Sequence, residues 1–218
     1  MALFLDFLII IPARKGSTRL VYKNRKKIMG KSLSEITIKF ACDIFPKKSI
    51  FFSTNDSRLS KNHEINKYGI NILNRSDKLS KSNSSINDVI LEIINTDYAS
   101  NYNNLVLLQP TSPIRSKKIF LKALNNFQKS KMKSIVSAKC IDLKFAYNKK
   151  AESLKLYKKL FIPNGNFYIS NIKTFKAKKS FYHSKTKFFE IDDIYQNIDI
   201  DKLKDFKIAK RFLEKNKI

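Results

Sequence analysis

Histidine and cysteine are nearly missing from this chain: its 218 residues hold two of each, His63 and His183, Cys42 and Cys140. The two cysteines are far apart and form no C-x-x-C pair, so neither a disulfide framework nor a zinc site is expected. A reduced, cytoplasmic setting is the default for such a chain. Glycine is also scarce, with four residues. Neither G-x-G-x-x-G nor G-x-x-x-x-G-K-[ST] occurs, which excludes a dinucleotide fingerprint and a Walker loop. No G-x-S-x-G elbow supports a serine hydrolase. No stretch reaches membrane-spanning length, so no membrane partner is expected. The apolar start, Met1 to Arg14, lacks the basic flank of a signal peptide, carries Asp6 and reads as a strand.

Acidic residues are few, 18 against 44 Lys and Arg, for a net charge of +26. Such a charge attracts nucleic acid and anionic surfaces without sequence preference. The cations, however, are 37 Lys and only 7 Arg, spread along the whole chain. That is a compositional drift that solvates the surface, and nucleic acid is not the expected partner. A basic nucleic-acid-binding protein on a degenerate scaffold stays as a remote alternative, which tight, salt-steep RNA binding would favour.

With 43% hydrophobic residues, the chain can build one large α/β domain over 1–218. Leu5 to Ile11 is a continuous apolar run, as in a strand buried on both faces. Ser32 or Ser34 caps a helix carrying Ile36, Phe40, Ala41 and Ile44 on one face. A strand over Ser49 to Ser53 leads to a polar helix ending at Tyr68, with Gly69 as its cap, then a short strand over Ile70 to Leu73. Ile86, Val89, Ile90, Ile93 and Ile94 mark a helix over 84–97, behind Ser84/Ser85. Leu105 to Gln109 is a further strand, Ser116 to Lys129 a helix and Ser134 to Ala138 a strand. This alternation predicts a doubly wound, mostly parallel sheet, whose ligands bind beyond the carboxyl ends of the strands.

Residues 140–186 are less regular. They read as a small inserted lobe with β-like pieces at Phe145–Tyr147, Leu154–Tyr157 and Phe167–Ser170 and an Asn-Gly turn at 164–165. A strand near Asn197 to Ile200 and a final helix capped by Asp201 close the chain.

Two signals locate the chemistry. The loop from Pro12 to Gly30 holds Arg14, Lys15, Gly16, Ser17, Arg19, Lys23, Asn24 and Arg25 between a buried strand and a helix. Its cations, hydroxyls and backbone N–H groups suit phosphates. Five of the seven arginines (Arg14, Arg19, Arg25, Arg75 and Arg115) fall in the loops singled out here, where their planar fork recognises anions. The second signal is a cluster of acids in an acid-poor chain. If Asp199-Ile200-Asp201 ends a strand, alternation puts both carboxylates on one face, beside bound phosphates, where Mg²⁺ is held by one or two carboxylates. Spacing alone leaves open that Asp201 merely caps the last helix and Asp199 is solvated.

In order along the chain, Ile11-Pro12-Ala13-Arg14-Lys15-Gly16-Ser17, Lys23-Asn24, Gly30-Lys31-Ser32-Leu33, Leu107-Leu108-Gln109-Pro110-Thr111-Ser112-Pro113-Ile114-Arg115, Pro163-Asn164-Gly165 with Tyr168-Ile169, and Ile198-Asp199-Ile200-Asp201 resemble the bacterial acylneuraminate cytidylyltransferases, the CMP-sialic acid or CMP-nonulosonic acid synthetases. The resemblance implies a nucleotide-diphospho-sugar-transferase-like fold and transfer of CMP from CTP to the anomeric hydroxyl of a sialic, legionaminic or pseudaminic type of nonulosonic acid. A related nucleotidyltransferase with another acceptor, such as Kdo, is the alternative. By this likeness Arg14, Ser17, Lys23 and Asn24 hold the triphosphate, with Lys23, Arg14 and Asp201 in catalytic roles. Arg75 and Ser85 hold the nucleoside; Gln109, Thr111, Phe181 and Tyr182 contact the sugar. Asp199 and Asp201 bind Mg²⁺, the implied cofactor. The lobe is expected to serve a homodimer and the sugar pocket. The chain departs from the family pattern at Lys15 and Thr18, where Gly and Lys are common. It also has Ile162 where an Arg usually meets the sugar carboxylate, a charge that Lys158 or Lys159 would have to supply.

Overall fold

The computed structural model describes residues 4–81, 84–142 and 159–216. Strand β1 (Phe7–Pro12) is the axis of the fold. Its residues Phe7 to Ile11 are wholly buried, as their unbroken apolar run requires. The two-residue strands β2 (Lys27–Ile28) and β3 (Lys31–Ser32) form a separate hairpin that leads into helix α1 (Leu33–Cys42). Ser32 caps α1 and Glu35 reaches back to the Ser32 N–H, a capping box. Strand β4 (Ile50–Thr54) follows. The single polar helix expected up to Tyr68 is instead two short ones, α2 (Ser57–Ser60) and α3 (His63–Asn66). Asp56 caps the first and Asn62 the second, and the second cap breaks the run.

Strand β5 (Asn71–Asn74), helices α4 (Asp77–Ser80) and α5 (Ile86–Ile94), strand β6 (Asn104–Leu107) and helix α6 (Lys117–Lys129) come next. Strands β7 (Ser134–Asp142) and β8 (Lys159–Asn171), helix α7 (Ile172–Lys178), strand β9 (Thr186–Glu190) and helix α8 (Leu203–Asn216) complete the order. The main sheet runs β5-β4-β1-β6-β8-β7-β9, and only β8 is antiparallel to its neighbours. This is the doubly wound, mostly parallel sheet that the alternation predicts. The chain winds from β1 outward to β4 and β5, then returns to place β6 on the other side of β1. That reversal opens a crevice beyond the carboxyl ends of β1 and β6.

Alternation along β1 feeds two cores. Phe7, Ile9 and Ile11 pack with Ile38, Ala41, Phe120 and Phe127 from α1 and α6. Leu8 and Ile10 pack with Val89, Ile90, Ile93 and Phe175 from α5 and α7. A third cluster positions the site: Leu20 of the first loop, Ile28, Leu33, Ile114, Ile200 and the α8 residues Ala209 and Leu213.

Three local expectations change. Residues 198–200 are not a strand; Ile200 is instead pinned by its N–H to the Thr111 carbonyl at 2.7 Å. Asp201 does not cap α8: Asp205 Oδ2 accepts from the N–H groups of Asp201 and Lys202. Asn164-Gly165 is not a turn but an irregularity inside β8, opposite a register shift between Val136 and Ala138. There Asn164 Oδ1 accepts from the Ser137 hydroxyl (2.6 Å) and the Asn166 N–H (3.1 Å). Of the stretch read as a lobe, Lys159–Asn171 belongs to the main sheet. Phe145–Tyr147, Leu154–Tyr157 and Lys158 lie outside the described residues.

Candidate active site

The first loop is held open by bonds to its neighbours. The Ala13 N–H donates to Ser53 O and its carbonyl accepts from the Thr54 hydroxyl, while the Lys15 N–H donates to Asn55 Oδ1. Further along, Arg25 clamps Asp56 through two charge-assisted bonds, with Asp56 only 1% exposed. Asn24 Nδ2 donates to the Arg14 carbonyl at 3.0 Å. These anchors lock the backbone and leave the Arg14, Ser17 and Lys23 side chains facing the crevice.

A cleft of about 250 Å³ lies there. Pro12, Arg14, Ser17, Lys23 and Asn24 form one wall, Arg75, Ser84 and Ile86 a second, and Gln109 and Thr111 the third. It opens into a recess of about 60 Å³ between Arg14, Ser17, Thr18, Arg19, Lys23 and Asp201. Asn24 Oδ1 is buried without a hydrogen-bond partner among the described residues, an acceptor left for a ligand donor. Arg75 is buried, donates from Nε to the Leu79 carbonyl at 2.8 Å and has its pKa lowered, first by burial and then by Arg14. A guanidinium held beside another in this way favours an anion between them.

Ile200, buried in the third cluster, places its neighbour Asp201 at the recess. The Asp201 carboxylate takes Lys23 Nζ on Oδ1 at 3.0 Å and Arg19 Nη1 on Oδ2 at 2.9 Å. Lys23 Nζ also donates to the Ile200 carbonyl. Asp199 is exposed and lies beside Gly165, where a Cβ would come within 3.6 Å of its Cγ. The donors on this segment are carboxylates: Asp201 lines the cationic recess, and Asp199 stands on the Gly165 side. That all-oxygen set fits a hard divalent cation such as Mg²⁺, whose shell is completed by substrate. Among the described residues no group of three or more His, Cys, Asp or Glu could hold a metal alone.

The third wall is built on Gln109. Gly165 has φ +74°, and a Cβ there would stand 2.8 Å from Ser112 Oγ and 3.0 Å from Gln109 Oε1. Only glycine permits this approach. Arg115 underlies the same loop, donating to the carbonyls of Gln109 (2.6 Å) and Asn166 (2.9 Å) and to the Thr37 hydroxyl (3.3 Å). Burial pulls its pKa down to about 9, partly offset by Asp199.

The structure thus brings together Arg14, Ser17, Lys23, Asn24, Arg75, Gln109 and Thr111, with Asp201 in the adjoining recess and Asp199 beside Gly165. It does not bring Ser85 into the cleft: Ser85 caps α5 through the Asn87 N–H, and its neighbour Ser84 lines the wall. Phe181 is also elsewhere, 3% exposed in the core against Phe175 and Tyr168, with no surface to offer a sugar. Tyr182 is exposed, and burial raises the pKa of Tyr168, with Tyr182 and Asp199 adding to the rise. Lys159, the described candidate to replace the missing Arg at Ile162, lies 3.6 Å from Glu190. The sequence reading missed Arg19 as the partner of Asp201 and Arg115 as the support of Gln109. Both are arginines in a lysine-rich chain, which was the available signal.

A doubly wound sheet with a phosphate-suited cleft at its reversal is an architecture suited to binding nucleotides. The chain belongs to the cytidylyltransferase family, whose family model, described as Cytidylyltransferase, matches residues 8–218. It is similar to the CMP-N,N'-diacetyllegionaminic acid synthase of Legionella pneumophila, with 29% identity over 227 residues, 96% of this chain and 97% of that protein. It is also similar to an N-acylneuraminate cytidylyltransferase of Streptococcus agalactiae, with 31% identity over 221 residues, 90% of this chain. The chain spans 51% of the length of that streptococcal relative. In fold it is like a CMP:2-keto-3-deoxy-manno-octonic acid synthetase complexed with CTP, with TM-score 0.68 and 15% identity over 97% of this chain and 99% of the other. No helix among the described residues is long and apolar enough to cross a membrane.

Proposed function

We propose that this chain transfers CMP from CTP to the anomeric hydroxyl of a nonulosonic acid of the sialic, legionaminic or pseudaminic type. One observation carries the reading. The phosphate wall (Arg14, Ser17, Lys23), the Arg75 wall and the Gln109–Thr111 wall meet in one cleft, on a chain similar along its length to a CMP-diacetyllegionaminic acid synthase. In the reaction the anomeric oxygen attacks the α-phosphorus of CTP. The new P–O bond forms as the bond to the bridging oxygen breaks, pyrophosphate leaves with that electron pair, and the hydroxyl proton is released.

Arg14, Ser17 and Lys23 hold the triphosphate in line, and Lys23 stabilises charge on the α-phosphate. Asn24 completes the nucleotide's hydrogen bonds through its unpartnered oxygen, and Arg75 with Ser84 holds the nucleoside. Gln109, Thr111 and Tyr182 orient the acceptor. Asp199 and Asp201 hold Mg²⁺, which when bound supplies Lewis-acid charge to phosphate oxygens.

The reading includes a homodimer. The arm of β7 and β8 beyond the sheet exposes Leu160 and Ile162, beside a stacked Phe161–Phe188 pair and exposed Tyr182, an apolar surface of the kind that pairs subunits. It also includes a cytoplasmic setting, in keeping with Cys42 and Cys140, which are not joined by a disulfide. A pyrophosphate-release screen across nonulosonic acids and Kdo, with each nucleoside triphosphate in turn, tests the reading. Turnover with CTP and a nine-carbon acid supports it; turnover with Kdo alone moves the chain to the eight-carbon acceptor.

A further inference from the structure

We propose that Arg19 is a positioning residue that occupies the Asp201 carboxylate until a polyphosphate enters, so that divalent-cation binding at Asp201 depends on nucleotide. The inference rests on the cytidylyltransferase reading of the cleft.

In the ligand-free chain both Asp201 oxygens are engaged, Oδ1 by Lys23 and Oδ2 by Arg19. The two cations differ in kind. Lys23 has a side chain only 12% exposed and is tied a second time, to the Ile200 carbonyl. Arg19 has a side chain 64% exposed and meets Asp201 through a single nitrogen at 2.9 Å. A solvent-facing pair of this kind is weak and exchangeable, whereas Lys23 stays in place. A divalent ion arriving alone would have to displace a guanidinium and sit among Arg14, Arg19 and Lys23, against their repulsion.

A polyphosphate reverses both terms. The recess between Arg14, Ser17, Thr18 and Arg19 is lined by cations and hydroxyls and suits phosphate oxygens. Phosphate offers the Arg19 fork a bidentate acceptor, where Asp201 offers it one oxygen. Once Arg19 turns to phosphate, Asp201 Oδ2 becomes available and the local excess of positive charge is neutralised. Cation and nucleotide then strengthen each other's binding by the same factor. Lys15 and Thr18, the positions that depart from the family pattern, flank this arginine's loop without replacing it at Asp201.

The test measures Mn²⁺ binding directly, by the loss of the free-ion EPR signal, on the intact chain with and without a non-hydrolysable α,β-methylene analogue of CTP. Wild type is expected to bind Mn²⁺ weakly alone and much more tightly with the analogue. Arg19→Ala is expected to bind Mn²⁺ without nucleotide on the order of tenfold tighter than wild type, with the nucleotide coupling reduced accordingly. Arg19→Lys, which keeps the charge without the fork, should fall between them. Thermal melts confirm that these exposed-site variants stay folded.

Equal or weaker nucleotide-free Mn²⁺ binding by Arg19→Ala overturns the inference while leaving the enzymatic reading intact. So does a gain that persists in the Arg19→Ala/Asp201→Asn double variant, because the ion would then sit elsewhere. Wild type that binds no Mn²⁺ even with the analogue overturns both this inference and the metal role of Asp199 and Asp201.

Discussion

The Arg115 guanidinium donates to the backbone carbonyl of Gln109 at 2.6 Å while its other nitrogens hold Asn166 on β8 and Thr37 on α1. One cation, resting 5.7 Å from the centre of the Phe40 ring, thereby ties the acceptor loop to the sheet and to the first helix. Replacing it by Met leaves these acceptors without their donor, at a cost of about 2–4 kcal/mol. Arg115→Met should therefore lower the melting temperature by about 5–10 °C. Arg115→Lys, which can keep one bond, should recover part of that loss. Differential scanning calorimetry of the two variants checks the order.

Gly165 sets the space above the same loop. Alanine there must accept φ +74° and a Cβ 3.0 Å from Gln109 Oε1. The conformational term alone is worth about 1–2 kcal/mol. The displaced Gln109 should raise the KM for the acceptor several-fold while the CTP KM changes little. Steady-state kinetics in both substrates separates the two effects; an equal rise in both KM values would place Gly165 outside the acceptor pocket.

The Arg25–Asp56 pair holds the loop rather than the ligand. Asp56 is buried, caps α2 and accepts from Arg25 on both oxygens. Asp56→Ala strands a largely buried guanidinium and is expected to cost about 3–5 kcal/mol, read from urea denaturation. Asp56→Asn, which keeps the shape of the cap, should lose less.

His183 gives the chain a pH-dependent element away from the cleft. Its Nε2 is buried without a partner among the described residues, its Nδ1 accepts from the Lys185 N–H, and burial together with Lys178 and Lys185 lowers its pKa. A lowered pKa means that the unfolded chain takes the proton first as pH falls. The stability held by neutral His183 is therefore full above the unfolded value, near 6.5, and declines below it toward the folded value. His183→Gln should flatten the stability profile between about pH 5 and 7, measured by thermal melts across that range.

Much of the sheet is legible in the sequence because its strands are continuous apolar runs. Leu5 to Ile11 and Ser49 to Ser53 announce β1 and β4 within two residues of their observed ends. The isoleucine stripe of α5 is legible for the same reason, since burial of one face imposes the 3.6-residue period. What escapes is set by tertiary contacts. Asn164-Gly165 reads locally as a turn, yet Ser137 across the sheet turns it into a bulge. Phe181 and Tyr182 are adjacent aromatics that the resemblance treats alike, but only packing against Phe175 decides that Phe181 faces inward. Asp201 reaches the recess because Ile200 beside it is buried, and not through strand alternation, while Asp199 lies beside Gly165.

Asp201→Asn tests the role of the rim carboxylate. The side chain is about a third exposed, at 37%, so stability should change by less than about 1 kcal/mol. Turnover should fall at least about 100-fold if Asp201 supports charge on the reacting phosphate. Near-normal turnover with unchanged melting would remove the carboxylate from the chemistry.

CTP-dependent use of a nonulosonic acid is measured most directly as pyrophosphate release from purified protein. With Mg²⁺, CTP and a sialic, legionaminic or pseudaminic acid, release should occur in step with formation of the CMP-sugar and should stop when CTP is replaced by ATP, GTP or UTP. Release with none of these acids, from protein shown to bind CTP, would contradict the account.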